Sequence, residues 1–193
     1  MTKIIGLTGG IGSGKTTIAN LFREANIPVY IADDEARKIM QLPEIIQEIK
    51  NTFGSEIFDD TILNREKLSQ IVFNDPEKLK LLNAIIHPAV RKHFQNWVLN
   101  HKKYSFVIYE AAILFESGSY KNCDLIITVT APIETRIERV IQRDKTTREQ
   151  VLKRINAQWD DTQRISKSDF VIVNIDPKTT KLEIGKILKI LNI

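Results

Sequence analysis

Eight residues near the amino terminus have the types and the spacing of a phosphate-binding loop. The segment Gly9–Thr16 matches the pattern G-x-x-x-x-G-K-[ST] and stands between a predicted strand and a predicted helix. Glycine lets backbone N–H groups turn toward a phosphate, where a side chain would collide. The lysine of such a loop bridges the β- and γ-phosphates, and the hydroxyl that follows it binds Mg²⁺. We expect Lys15 to be catalytic and Thr16 to contact the metal, and the residues expected to contact ATP are Gly10, Ile11, Gly12, Ser13, Gly14, Lys15, Thr16 and Thr17.

A phosphate-binding loop alone does not define the reaction. The Asn-Lys-x-Asp element by which GTPases read guanine is absent from the sequence. Glu110 directly follows the apolar run 106–109, a position that suits an acidic residue touching Mg²⁺ through water. A motor or helicase would need a water-activating partner as well. The phosphoryl acceptor therefore decides between an ATPase and a kinase.

Asp33 lies just beyond the second predicted strand, on the same predicted sheet edge as the phosphate-binding loop. A carboxylate there can accept the proton of an attacking hydroxyl group, or it can orient that group. An aspartate in this position is also a common helix N-cap, and Asp33-Asp34-Glu35 fits that interpretation equally well. The residues alone leave both roles open, and each aspartate can fill one of them.

Three arginines, Arg136, Arg139 and Arg143, recur at spacings of three and four residues and share one predicted helical face. Guanidinium groups stabilise the charge that phosphoryl transfer spreads over oxygen atoms. A pair of basic helices at about 133–160 is typical of a lid that closes over ATP and excludes water. The alternative is a solvated helical face on which these arginines pair with Glu134 and Glu138.

The apolar runs predict an α/β fold with three layers. Short apolar segments at 3–7, 29–31, 106–109, 125–129 and 170–173 alternate with helical patterns, which favours a five-stranded parallel sheet. The segment between the second and third strands reads as helical with breaks, and an amphipathic helix at 182–191 closes the chain. We expect one P-loop kinase domain with a core at about 1–33 and 103–193, an acceptor-binding helical insertion at about 34–102, and the lid.

Composition excludes several other classes of protein. The chain has 193 residues, of which 42% are hydrophobic and 27% charged, as in ordinary globular enzymes. The net charge of +4 comes from scattered lysines and arginines, so we expect no nucleic-acid partner. No run of 18 apolar residues and no signal-peptide pattern is present, so we expect no membrane association. The single cysteine, Cys123, suits a reducing compartment, and we expect a cytoplasmic protein.

With these residues assembled, the sequence resembles the dephospho-coenzyme A kinase family from Ile5 to about Asn174. The matching pieces are Gly6–Lys15, Ala32-Asp33 with Ala36-Arg37, Leu63-Asn64-Arg65, Leu82-Asn83 with His87-Pro88, Leu114-Phe115-Glu116, Arg139 with Arg143-Asp144, Arg154 with Gln158, and Asp169 with Asn174. The phosphate-binding loop is common to many kinases, whereas the ordered set is specific. The family usually has Asp-Ala-Asp before the acceptor helix, and here Ile31 replaces the first aspartate.

The resemblance implies the fold and the reaction of the family. ATP and 3′-dephospho-CoA give ADP and CoA, with Mg²⁺ required, and Asp33 is the implied base for the ribose 3′-hydroxyl. Thr8, Arg37 and His87 would line the acceptor side together with Asp33, and Arg139 and Arg143 would act catalytically from the lid. Asn174 falls in the implied adenine-contacting loop, where its backbone matters more than its side chain. The partner is then a small molecule, and we expect a monomer or a weak homo-oligomer.

Two alternatives stay open at this point. His87 precedes Pro88, and a histidine at a helix start can simply belong to the cap region.

Another small-molecule kinase of the P-loop class, acting on a nucleoside or a nucleoside monophosphate, would share the loop and the lid. Such a kinase would need base-reading residues in the insertion, and the Leu63-Asn64-Arg65 and His87-Pro88 elements do not suggest them.

Overall fold

The structure is a computed structural model that describes residues 2–191. Its strands are β1 (Lys3–Thr8), β2 (Val29–Ile31), β3 (Phe58–Asp59), β4 (Ile62–Leu63), β5 (Phe106–Glu110), β6 (Leu125–Thr130) and β7 (Phe170–Val173). Its helices are α1 (Lys15–Glu24), α2 (Ala32–Ile39), α3 (Pro43–Phe53), α4 (Arg65–Phe73), α5 (Pro76–Asn100), α6 (Ile133–Asp144), α7 (Arg148–Asn156), α8 (Asp161–Ile165) and α9 (Pro177–Ile190), with a 3₁₀ turn at Ser119–Asn122. No helix within residues 2–191 is long and apolar enough to cross a membrane.

Five strands form one sheet in the order β2-β5-β1-β6-β7, and every neighbouring pair is parallel. This confirms the predicted α/β fold and its five-stranded parallel sheet. The strands are apolar on both faces because helices cover both faces of a parallel sheet. Ile5, Leu7, Ile108 and Ile127 are accordingly 0% exposed. The carboxyl ends of β1 and β5 lie side by side, since Leu7 pairs with Glu110.

The chain divides into two compact units, Met1–Ile31 with His101–Ile193, and Ala32–Asn100. The first unit contains the sheet and its core, in which α1 and α9 contribute Ile18, Phe22, Ile184 and Ile187. The second unit contains α2 to α5 and, within its described residues, the β3–β4 hairpin. The sequence predicts helices with breaks over 34–102, and the structure places this hairpin in one of the breaks, which the sequence did not identify as strands. Each of its strands has two residues, too few to show the alternating pattern that indicates a strand.

Helix α5 runs without interruption past the His87-Pro88 pair. It begins at Pro76, where Asp75 Oδ1 accepts N–H groups from Glu77 at 3.0 Å and Lys78 at 3.2 Å. The expectation that a helix starts near His87 is therefore wrong. Proline lacks the N–H that an interior helical residue donates, which weakens a helix locally. Burial of Ile86 and Val90, on either side of Pro88, stabilises the helix across this point.

The closing helix α9 is longer than the sequence predicts, because it begins at Pro177 and not at 182. Asp176 caps it by accepting the N–H of Thr179 at 2.8 Å, and Pro177 takes the first helical position. The Asp-Pro pair is itself a helix-start signal. Apolar periodicity becomes visible only one turn later, which explains the difference.

Candidate active site

The phosphate-binding loop spans residues 9–14, between the end of β1 and the start of α1. Within it Ser13 donates its N–H to the C=O of Gly10 at 3.1 Å, closing a β-turn. Gly12, the third residue of that turn, has φ 79°, and Gly14 has φ 92° just before the helix. L-residues rarely adopt these angles, so glycine is required at both positions.

The glycines also let neighbouring elements pack directly against the loop. A Cβ atom at Gly10 would lie 2.1 Å from Arg136 Nη2, and one at Gly12 would lie 2.4 Å from the Arg136 carbonyl oxygen. A Cβ atom at Gly14 would lie 2.0 Å from Asn174 Nδ2. All three distances are far below van der Waals contact. The motif therefore has two physical causes, room for a phosphate and close packing behind the loop.

Three predicted nucleotide-binding side chains occupy the first turn of α1. Lys15 Nζ donates to the C=O of Gly9 at 2.8 Å, so the lysine folds back across its own loop. Thr16 and Thr17 follow it and are exposed. Their N–H groups lie at the positive end of the helix dipole, which favours an anionic ligand. The structure thus brings a cation, two hydroxyl groups and a helix N-terminus to one place.

Glu110 is the last residue of β5 and is 5% exposed. It stands in register with Leu7 of β1 and with Ile31 of β2, so its backbone lies at the sheet edge from which the loop departs. No group of three or more His, Cys, Asp or Glu side chains within residues 2–191 is arranged to hold a metal ion. Thr16 and Glu110 fit the kind of Mg²⁺ site in which substrate phosphates and water supply most of the ligands.

Two hydroxyl groups beside the loop are buried and unsatisfied. Thr8 is the last residue of β1, and Ser13 lies within the loop; both are 0% exposed. Their Oγ atoms have no hydrogen-bond partner anywhere in the described part of the chain. Buried polar groups are normally hydrogen-bonded, so orphaned ones at this place are consistent with a site for a polar ligand.

Asn174 directly follows β7 and connects three elements. Its Nδ2 donates to the C=O of Ser13 at 2.9 Å, and its backbone N–H donates to the C=O of Thr130 at 2.8 Å. Its own C=O accepts from Arg139 Nη2 at 3.0 Å. The side chain, to which the sequence assigns little, therefore supports the phosphate-binding loop. Arg139 also carries a buried Nη1 that has no partner within residues 2–191.

Arg143 is exposed, near the end of α6, and is bound to a neighbouring carboxylate. Its Nε and Nη2 atoms donate to the two oxygens of Asp144 at 2.6 and 3.1 Å. Arg154 Nη1 also donates to Asp144, at 2.7 Å. The hydrogen bonds from Arg143 and then Arg154 hold the pKa of the Asp144 carboxyl well below its usual range. This pairing therefore joins α6 to α7 at any physiological pH.

The structure separates Arg136 from the other two arginines of the predicted face. Arg136 is 5% exposed, whereas Arg139 is half-buried and Arg143 exposed. Its Nε donates to the C=O of Ile11 at 2.9 Å, and its Nη1 to Asp161 Oδ2 at 3.1 Å. Burial lowers the pKa of the Arg136 guanidinium, and Asp161 opposes that shift. For Arg136 the alternative of a solvated face paired with glutamates is wrong, because this arginine is buried and pairs with Asp161. The sequence could not decide this, since helical spacing does not reveal which face is buried.

In the unit Ala32–Asn100, α2 begins at Ala32, so Asp33 lies inside its first turn and not at the N-cap. These helix bounds favour a position within the helix over the capping interpretation of Asp33, and the residue is exposed. Arg37 Nη1 donates to Asp34 Oδ1 at 2.8 Å, and Arg65 Nη2 donates to the Arg37 carbonyl oxygen at 2.8 Å. Arg65 thus fixes the backbone at Arg37.

His87 lies within α5 and is half-buried. Burial, and secondarily the charge of Arg91, lower the pKa of its imidazole below the ordinary value. The folded chain thus resists protonation at this position, while the unfolded chain accepts a proton near pH 6.5. The contribution of His87 to the free energy of unfolding is therefore fully present above pH 6.5. It is lost as the pH falls below that value, because the unfolded chain then binds a proton that the folded chain does not.

We expect the free energy of unfolding to decline less between pH 7.5 and 5.5 in His87→Gln than in the parent. The comparison isolates His87 because every other titrating group is common to both proteins. Urea unfolding at both pH values measures it. Parallel declines in the two proteins would show that His87 is protonated equally in the folded and unfolded states.

A partly buried charged cluster beside the loop was not anticipated from the sequence. Arg164 is 0% exposed, and it donates to Glu116 Oε1 at 3.2 Å and to Asp161 Oδ1 at 3.3 Å. Asp161 is the carboxylate that Arg136 also contacts. Gln158 Oε1, three residues earlier, accepts the N–H of Ile11 at 2.9 Å. Glu116 and Gln158 entered the sequence resemblance without a role, and no local pattern signals that Arg164 is buried.

Comparison with known proteins places the chain among kinases of one kind. The family model described as dephospho-CoA kinase matches residues 3–179. A dephospho-CoA kinase of Fusobacterium nucleatum is 43% identical over 173 residues, covering 89% of this chain and 89% of that protein. A crystal structure of TT1252 from Thermus thermophilus is 33% identical with a TM-score of 0.92, covering 100% of this chain and 98% of that one. A dephospho-CoA kinase structure from Campylobacter jejuni is 27% identical with a TM-score of 0.70, covering 98% and 96%.

Proposed function

The chain belongs to the dephospho-CoA kinase family, and from this membership we propose how its residues carry out the reaction. The family's activity is transfer of a phosphoryl group from ATP to dephospho-CoA, the final step of coenzyme A synthesis. The match of the family model across residues 3–179 supports this assignment most directly. The proposed acceptor atom is the ribose 3′-hydroxyl, and the products are CoA and ADP.

The sheet unit is proposed to bind ATP. Lys15 would leave the Gly9 carbonyl and bridge the β- and γ-phosphates, while the N–H groups of the loop and of α1 hold the phosphate oxygens. Asn174, which follows β7, supports the loop through Ser13, and Arg139 of α6 donates to the Asn174 carbonyl oxygen. Arg139 Nη1 is proposed to donate to the nucleotide. Thr8 would contact the acceptor.

Mg²⁺ is proposed to be held by the hydroxyl of Thr16, by the phosphates, and by Glu110 through water. When bound, it would offset the negative charge that develops on the phosphate oxygens. Glu110 suits this role because it is buried at the carboxyl end of β5, next to the end of β1 where the loop begins.

The unit Ala32–Asn100 is proposed to bind dephospho-CoA. Asp33 follows the last residue of β2 by two positions and would take the proton of the 3′-hydroxyl or orient that group. Arg37, with its backbone held by Arg65, and His87 would contact the acceptor. We propose that this acceptor-binding segment spans about 34–102.

We also expect a cytoplasmic enzyme that acts as a monomer or a weak homo-oligomer.

ADP release from Mg-ATP tests the reaction directly. The assay runs with and without 3′-dephospho-CoA, and with nucleosides, nucleoside monophosphates and RNA as control acceptors. Stimulation by dephospho-CoA alone, with CoA as the product, is the expected result. Stimulation by a nucleoside or a nucleotide would retain the kinase class and overturn the acceptor, and stimulation by RNA alone would overturn both.

A lid at about 133–160 is proposed to deliver Arg143 to the phosphates in the transition state. Arg143→Ala should therefore lower kcat more than it weakens ATP binding, since the charge is needed mainly where negative charge develops. A loss of about tenfold or more in kcat is expected from one charge-assisted contact. Steady-state kinetics with an independent ATP titration measures both quantities. Unchanged turnover would assign Arg143 only to the surface pairing with Asp144.

A further inference from the structure

Ile11, in the middle of the phosphate-binding loop, is held at three points by residues outside the loop. Its N–H donates to Gln158 Oε1 and its C=O accepts from Arg136 Nε, both at 2.9 Å. Its side chain packs against the small apolar core between α6 and α7. The peptide groups on both sides of Ile11 therefore have their orientation set by other parts of the chain.

The peptide between Ile11 and Gly12 is the central peptide of the β-turn that Gly10 and Ser13 close. Turns of type I and type II differ by a flip of this peptide, and the φ of 79° at Gly12 is the value that type II requires. The hydrogen bond from Arg136 to the Ile11 carbonyl holds the peptide in the type II orientation. Without that hydrogen bond, only the conformational preference of the β-turn would keep the Ile11–Gly12 peptide from flipping.

The orientation matters because the C=O and N–H of a trans peptide point in opposite directions. With the Ile11 carbonyl turned toward Arg136, the N–H of Gly12 points away from it. Phosphate-binding loops work by turning successive N–H groups toward the anion. A flipped peptide would present a carbonyl oxygen there instead, and two oxygens bearing negative charge repel.

We infer that Arg136 and Gln158 are positioning residues that orient the Ile11 peptides so that Gly12 donates its N–H to a phosphate oxygen of ATP. This inference rests on the proposed function in taking the loop as the site of the ATP phosphates. It concerns residues that act through the loop and do not touch the acceptor.

Arg136 is itself rigidly held, as a positioning residue must be. Its side chain is 6% exposed, and Asp161 Oδ2 accepts from its Nη1 at 3.1 Å. Arg136 packs directly against Gly10 and Gly12. A Cβ atom at Gly10 would lie 2.1 Å from its Nη2, and one at Gly12 would lie 2.4 Å from its carbonyl oxygen. The carboxylate compensates the buried charge, so the guanidinium can remain against an uncharged carbonyl.

Gln158 is held through the residue that follows it. Trp159 stacks on Phe115 with ring centroids 5.4 Å apart and an interplanar angle of 3°. The N–H of Trp159 donates to Glu116 Oε1 at 3.0 Å, and Glu116 also accepts from Arg164. Both contacts on Ile11 thus extend into one partly buried network, which preorganises the loop and avoids a reorganisation cost when ATP binds.

Two variants and one control test the inference. Gln158→Leu removes the acceptor of the Ile11 N–H and introduces no buried charge. Arg136→Lys keeps the charge but loses the planar Nε donor. The control is Arg23→Gln, because Arg23 lies in the last turn of α1, is exposed, donates to Asn20 Oδ1 at 3.1 Å, and is not bonded to the loop.

The expected result is a rise of about tenfold or more in the Kd of ADP and the KM of ATP for both variants, the size of one charge-assisted hydrogen bond. The KM of dephospho-CoA should stay at the parent value, and Arg23→Gln should match the parent throughout. A merely structural role would lower the amount of active enzyme and hence Vmax, without changing the KM of ATP. Thermal melts identify variants that do not fold.

Folded Gln158→Leu with the parent's Kd for ADP and KM for ATP would overturn the inference, even if Arg136→Lys fails to fold. ADP titration needs no acceptor, so it also separates this inference from the proposed function. A parent that binds ADP but shows no turnover with dephospho-CoA would refute the function, while the effect of the variants on ADP binding would still decide the role of Gln158 and Arg136.

Discussion

Asp33→Asn lowers turnover by about 10²- to 10⁴-fold and leaves ATP binding nearly unchanged; this is the largest kinetic effect we expect. Asparagine has the shape of aspartate but cannot take the proton of the attacking hydroxyl. The exposed position of Asp33 in the first turn of α2 keeps its carboxylate accessible to a substrate. ADP release with saturating dephospho-CoA gives the turnover, and a nucleotide titration gives the affinity.

Asp34→Asn is the matched comparison, because it removes the neighbouring carboxylate from the same helical turn. Asp34 is engaged with Arg37 at 2.8 Å, so this change should affect the KM of dephospho-CoA and spare kcat. Near-normal turnover in Asp33→Asn would remove Asp33 from the mechanism. A large loss of kcat in Asp34→Asn instead would transfer the catalytic role to Asp34.

Arg164→Met should give the largest loss of stability. Arg164 is 0% exposed and is bonded to both Glu116 and Asp161. Removing the guanidinium leaves two partly buried carboxylates with less positive charge near them, a change that typically costs about 3–5 kcal/mol. For a chain of this size that loss corresponds to a fall in Tm of roughly 6–20 °C. Urea unfolding and thermal melts measure the two quantities.

The control is Arg148→Met, which breaks an exposed arginine–glutamate pair with two short hydrogen bonds to Glu134, of 2.6 and 2.8 Å. Surface pairs of this kind add little, since solvent screens them, so stability should stay at the parent value. The double change Arg164→Met with Glu116→Gln should recover part of the loss. If Arg164→Met were as stable as Arg148→Met, the cluster would have no structural importance.

The sequence identifies the phosphate-binding loop and the five strands because both depend on local patterns. Four constrained positions between a strand and a helix specify the loop around Lys15, and continuous apolar runs specify strands that are covered on both faces. The pair of helices that the sequence predicts at about 133–160 is present as α6 and α7, for the same reason. Errors appear where local signals are weak or contradictory, as at the two-residue strands β3 and β4 and at Pro88.

What the sequence by itself determined is therefore the fold, the nucleotide loop and, through an ordered set of short matches, the family. Only the tertiary structure decided which charges are buried. Arg136, Arg139 and Arg143 are of one residue type and share one predicted helical face, yet the first is enclosed behind the loop and the last is exposed. Helical periodicity specifies which residues share a face, whereas burial depends on what packs against that face. Arg136 is enclosed by contacts with Ile11 and Asp161, and Arg164 by a contact with Glu116. In each of these pairs the two residues are distant in sequence, so no local pattern predicts the contact.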